Sequence, residues 1–83
     1  MRVRLSSNCN TVPQIITAAA NGKVTPLQAN ILLALSNDVT GMEVSDLISH
    51  VRKANPTSYK FVLDKAFFSS IAVLYHKSMV TYS

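Results

Sequence analysis

Eighty-three residues allow a single domain, spanning 1–83, with a core only marginally large enough to stand alone. Hydrophobic residues make up 48% of the chain and charged ones only 14%, and two glycines and three prolines are too few for a disordered or low-complexity protein. The formal charge of +4 lies wholly in the last third: residues 1–50 balance, whereas 51–83 carry Arg52, Lys53, Lys60, Lys65 and Lys77 against Asp64 alone.

A neutral apolar half joined to a basic half points to a small core presenting one positive surface. Such a surface most often meets nucleic acid or another polyanion. Cys9 is the only cysteine, so neither an intramolecular disulfide nor a cysteine-based zinc cage is expected, and a reducing cytoplasm is the simplest compartment. The start, Met-Arg-Val-Arg, is followed by a stretch too polar for a signal peptide. No apolar run approaches the ~20 residues that span a bilayer, so no membrane partner is expected.

Residues 2–5 alternate Arg, Val, Arg, Leu, a short strand pattern, and Ser6 to Asn10 reads as loop. Val12 to Asn21 reads as the first helix. Thr11 is its N-cap, Pro13 sits in its first turn and Gly22 closes it in a left-handed conformation. Val12, Ile15, Ile16 and Ala19 give it an apolar stripe. The second helix opens on Thr25-Pro-Leu-Gln28, a capping box with proline in the first helical position, and runs to about Leu35. Leu27, Ile31, Leu32 and Leu35 face its core side, with Gln28 and Asn30 facing out.

Val39-Thr-Gly41 turns the chain, and Met42 to Val44 adds a short extended piece. The third helix runs from Ser45 to about Lys53, with Val44, Leu47, Ile48 and Val51 as its stripe. Asp46 in its first turn and Arg52-Lys53 in its last complement the helix dipole. His50 lies off the stripe and reads as solvated. Asn55-Pro56 breaks this helix, and Thr57 or Ser58 is placed to cap the next. Tyr59 to Lys77 reads as helical but apolar nearly all round, which predicts either one buried helix or, preferably, two meeting or bending at Ser69-Ser70. A final strand carries Val80 and Tyr82. The class is therefore mainly α, four or five short helices with minimal β-structure.

From Thr25 onward this order resembles a winged helix-turn-helix domain of the MarR-type branch. Thr25-Pro-Leu-Gln-Ala-Asn-Ile-Leu-Leu-Ala-Leu35 looks like the opening helix of that family. Gly41-Met-Glu-Val-Ser-Asp-Leu-Ile-Ser-His-Val51 is similar to its short strand and positioning helix. Ile71-Ala-Val-Leu-Tyr-His-Lys-Ser-Met-Val80 looks like the end of its recognition helix running into the wing, with Ser78 where the family usually has glycine. Two departures stand out: the stretch between the second and third matches is longer than usual, and a second wing strand exists only if Arg2–Leu5 pairs there.

The resemblance implies a DNA-binding transcriptional regulator, dimeric, with double-stranded DNA as partner. Asn55, Thr57, Ser58, Tyr59 and Lys60, or Ser69 and Ser70 if the helix restarts, would fall on the recognition helix and the turn before it. Arg52, Lys53, Lys60, Lys65 and Lys77 would meet phosphates, and Asn55 is the best base reader by composition. The other reading is a protein-binding adaptor or inhibitor that uses the apolar 61–75 helix, with Phe61, Phe68 and Tyr75 as its interface. Tyr59, Phe61, Phe67 and Phe68 read as core or interface side chains rather than base-stacking groups. No GxGxxG, GxxxxGK or HExxH occurs, only four carboxylates are present, and no nucleophile–base pair is visible, so neither an enzyme nor a cofactor nor a metal site is expected.

Overall fold

The elements follow in the order β1 (Arg2–Leu5), α1 (Val12–Ala20), α2 (Pro26–Leu35), β2 (Met42–Glu43), α3 (Val44–Ala54), α4 (Asp64–His76) and β3 (Val80–Tyr82). The computed structural model describes residues 1–7 and 11–82. Cys9, the rest of the expected loop at 8–10, and Ser83 at the end of the expected last strand lie outside the described residues. The chain is thus mainly α, with a small antiparallel sheet of order β2-β1-β3.

Both proline-led helices are fixed by reciprocal caps. Thr11 Oγ1 accepts from the Gln14 amide and Gln14 Oε1 from the Thr11 amide; Thr25 and Gln28 repeat the pattern at 3.2 and 3.0 Å. This role draws Gln28 into the core instead of outward as expected. Asn30 is also turned in part, donating to the Pro26 carbonyl at 3.0 Å and to the Tyr59 hydroxyl at 2.7 Å. Helix α2 is the central element, packed by α1, α3, α4 and β1. Helix α1 lies at the edge. It buries Ile15 and Ala18, so the expected stripe is rotated, and Val12 and Ile16 stand exposed.

Helix α3 buries all four residues of its expected stripe, Val44, Leu47, Ile48 and Val51. Helix α4 departs from the expectation twice. It starts at Asp64, not near Tyr59, and neither Thr57 nor Ser58 caps it; its N-cap position is Leu63, with no side-chain hydrogen bond. It also runs unbroken through Ser69 and Ser70. The buried Phe67, Ile71 and Leu74 recur at i, i+4, i+7 across that point, and two serines in a helix interior cost only tenths of a kcal/mol each.

The C-terminus of α4 ends in a Schellman motif: the Ser78 amide donates to the Tyr75 carbonyl and the Met79 amide to the Leu74 carbonyl, both at 3.0 Å. Ser78 takes φ 60 to allow it, the one described non-glycine residue in that region. The chain then enters β3, which pairs with β1 in the register Val3↔Tyr82 and Leu5↔Val80, while Val3↔Met42 joins β1 to β2. Val3 and Val80 point into the core, leaving Arg2 and Arg4 on the other face beside Glu43 and Thr81.

Candidate nucleic-acid interface

The five C-terminal cations do not behave alike. Arg52, at the end of α3, donates to the Val62 carbonyl, lies 2.8 Å from Asp64 Oδ1, and stacks with its guanidinium 5.1 Å from the Phe67 ring centroid. It ties α3 to the 55–63 connection and to the start of α4, so its charge is already offset. Lys77, at the far end of α4, donates to the Lys23 carbonyl. It lies about 18 Å along the helix from Lys65, at 1.5 Å per residue. Lys53, Lys60 and Lys65 remain, all exposed around the α3–α4 connection.

Of the four side-chain carboxylates only Asp64 lies at this connection. Glu43 pairs with the Met1 ammonium at 2.8 Å, which holds its pKa below the ordinary value. Asp38 accepts from the Thr40 hydroxyl at 2.6 Å and the Thr40 amide at 3.0 Å, and these bonds lower its pKa likewise. Asp64 is held by Arg52, and Asp46 sits in the first turn of α3. Among the described residues no ion pair reaches Lys53, Lys60 or Lys65.

The exposed surface of α4 is mixed, with Phe68, Val73 and Tyr75 on its flanks. With Phe67, Ile71 and Leu74 buried, the opposite line is Lys65, Ser69, Ala72 and His76 at i, i+4, i+7, i+11, all exposed. Its residues are small, polar or cationic. Residue type alone does not mark Ala72 and His76 as candidates; their spacing from Lys65 finds them once the buried stripe is assigned.

Other expected contacts shift. Tyr59, which the resemblance puts at the DNA surface and its residue type in the core, is a core side chain, 8% exposed, its ring edge-on to Phe67 at 6.0 Å and its hydroxyl accepting from Asn30. Asn55 is half-buried at the end of α3, and its Nδ2 donates one of its two hydrogens to the Val51 carbonyl at 3.1 Å. Thr57 and Ser58 are exposed on the turn.

The expected protein-interface residues also separate. Phe61 is 87% exposed and Leu63 74%, the two lining one open groove with Arg52, Lys60, Val62 and Asp64. Neither belongs to a helix. Phe68 stands half out of α4, and Tyr75 packs on Tyr82 at 4.7 Å between centroids. No cluster of three metal-ligating side chains occurs among the described residues, and no helix there is long and apolar enough to cross a membrane. Comparison with family models, curated proteins and solved structures gave no match.

Proposed function

We propose that this chain is a small DNA-binding regulator of winged-helix type, in which α4 is the recognition helix and Lys53, Lys60 and Lys65 hold the phosphates. The observation that carries the reading is the outward line Lys65–Ser69–Ala72–His76 near Lys53 and Lys60, three lysines with no carboxylate partner among the described residues. Lysine and serine bind phosphate oxygens and position a helix, and an alanine methyl can lie against a thymine methyl in the major groove.

Topology supports the same reading. The order α2, β2, α3, α4, β3 matches the resemblance read from Thr25 onward, and β1 pairs beside β3, where a second wing strand is needed. Ser78 takes a left-handed conformation at the position where that family usually has glycine. Action in the cytoplasm as a dimer belongs to this reading, with Val12 and Ile16 on the uncharged helix α1 as an exposed face for a second copy.

The test is a mobility shift with duplex DNA. The double variant K53E/K60E abolishes the shift, because reversing two phosphate contacts replaces attraction with repulsion. An unchanged shift rejects the assignment. The exposed Phe61 and Leu63 favour a second reading, a protein-binding adaptor whose basic surface serves an acidic partner.

A further inference from the structure

An exposed phenylalanine is the least explained side chain of this molecule. Phe61 is 87% exposed, and Leu63 two residues on is 74% exposed. The Arg52 bond to the Val62 carbonyl ties down the connection between these two side chains, outside α4. Lys60 Nζ lies 5.4 Å from the Phe61 ring centroid. Lys53 and Lys65 flank the same connection, without carboxylate partners among the described residues. Phe68 is one turn up α4 from Asp64, half exposed.

Phe61 and Leu63 share their groove with Lys60 and with the Arg52–Asp64 pair, and Lys53 and Lys65 flank the connection on α3 and α4, a net positive setting that disfavours a basic partner. This setting suits an occupant that is polyanionic and also carries flat apolar faces. Nucleic acid with unstacked bases has both properties: phosphates for Lys53, Lys60 and Lys65, and a base face for the Phe61 ring. A fully stacked duplex offers the phosphates but keeps its base faces covered.

The geometry points to Phe61 as a base-stacking side chain, so that this interface grips DNA whose bases are locally unpaired more tightly than it grips perfect duplex. The inference rests on the DNA-binding reading and deepens it. The ring does not read sequence, because every base has a π-face. It selects for open or easily opened DNA beside the phosphates held by the lysines.

The experiment uses the full chain and three fluorescently labelled probes: a short duplex, the same duplex with a central run of mismatches, and its single strand. The wild-type protein binds the mismatched and single-stranded probes more tightly than the duplex. F61A loses about tenfold in affinity for those two probes and changes little on the duplex. F61L, which keeps the apolar bulk without a π-face, loses the same preference. The chain contains no tryptophan, so F61W gives a single indole whose emission is quenched by the unpaired probes and not by the duplex. Equal affinity of F61A or F61L and wild type for the unpaired probes, or unquenched F61W emission while lysine-dependent binding persists, overturns the stacking role and leaves the DNA-binding reading standing. Absence of wild-type binding to all three probes at low salt overturns both. Because Phe61 is almost wholly in solvent, its replacement leaves the fold intact, which unchanged circular dichroism verifies.

Discussion

Arg52 Nη2 and Asp64 Oδ1 meet at 2.8 Å across the connection between α3 and α4. The same guanidinium holds the Val62 carbonyl and covers the Phe67 ring, while its Nε is buried without a partner. The ion pair is the weaker part of this clasp, since the Asp64 side chain is 62% exposed and an exposed pair contributes at most about 1 kcal/mol. The bond to a carbonyl from a charged donor, with the stacking on Phe67, contributes about 2 kcal/mol. R52A therefore lowers the urea midpoint clearly more than D64N does. Equal losses would mean that the pair alone fastens α4 to α3.

Gly41, just before β2, lies close against the backbone of β1. Its φ is +89, and an added Cβ would sit 2.5 Å from the Val3 carbonyl oxygen and 2.9 Å from Arg4 Cβ. The obstacle is the backbone of the central strand, which has no room to move. G41A costs at least about 2 kcal/mol, from the unfavourable backbone region together with the clash. G22A serves as the comparison. Gly22 has φ +71 but nothing within 4 Å, so only the conformational cost of about 1 kcal/mol applies. Thermal melts of the two variants should differ in that order.

Ser78 pays the left-handed cost in the native protein, at φ 60. Ser6 Oγ donates to the Ser78 carbonyl, a backbone group that any residue supplies. S78G should therefore keep every hydrogen bond of the Schellman motif and gain about 0.5–1 kcal/mol. A rise in melting temperature checks it. A fall would assign the Ser78 hydroxyl a role that its geometry does not suggest.

Stability should fall on acidification through the two depressed carboxyls. Glu43 is held down first by its hydrogen bond from the Met1 ammonium, and Asp38 by the hydroxyl and then the amide of Thr40. A carboxyl with a lowered folded pKa contributes stability above its unfolded pKa, near 4, and loses it as pH falls through the folded value. E43Q and D38N are therefore less stable than wild type at neutral pH, and the differences vanish below both pKa values. A gap that persists undiminished at the acid end would show that the substitutions act by something other than charge. Acetylating the Met1 amine should reproduce the effect of E43Q.

Much of this fold could be read from residue order because its signals are local. Thr11 caps α1 and Thr25-Pro-Leu-Gln28 forms the capping box of α2 as read, Gln14 adding an unexpected return bond in α1, and the stripe of α3 is buried as its spacing predicts. The misreadings arise where distant groups override local pattern. Nothing near Tyr59 in sequence shows that Asn30 takes its hydroxyl, and nothing near Val62 shows that Arg52 takes its carbonyl. Those two bonds keep 59–63 out of the helix. The candidate interface was partly legible for the same reason. The cations could be counted, but which of them a carboxylate or carbonyl occupies is a tertiary fact.

That tertiary fact orders the lysines in a last prediction. Removing one phosphate-binding cation reduces the slope of log affinity against log salt by about 0.9 for duplex DNA. Lys53, Lys60 and Lys65 are exposed around the start of α4, whereas Lys77 donates to the Lys23 carbonyl at its opposite end. K53A, K60A and K65A should each lower the slope by about 0.9, and K77A should leave it unchanged. R52A should change affinity only as far as it loosens the α3–α4 clasp, because its charge is offset by Asp64. Titrations at several salt concentrations separate these cases. A slope that falls equally for K77A and K65A would mean that the DNA meets the net charge of the molecule and not the face built around α4.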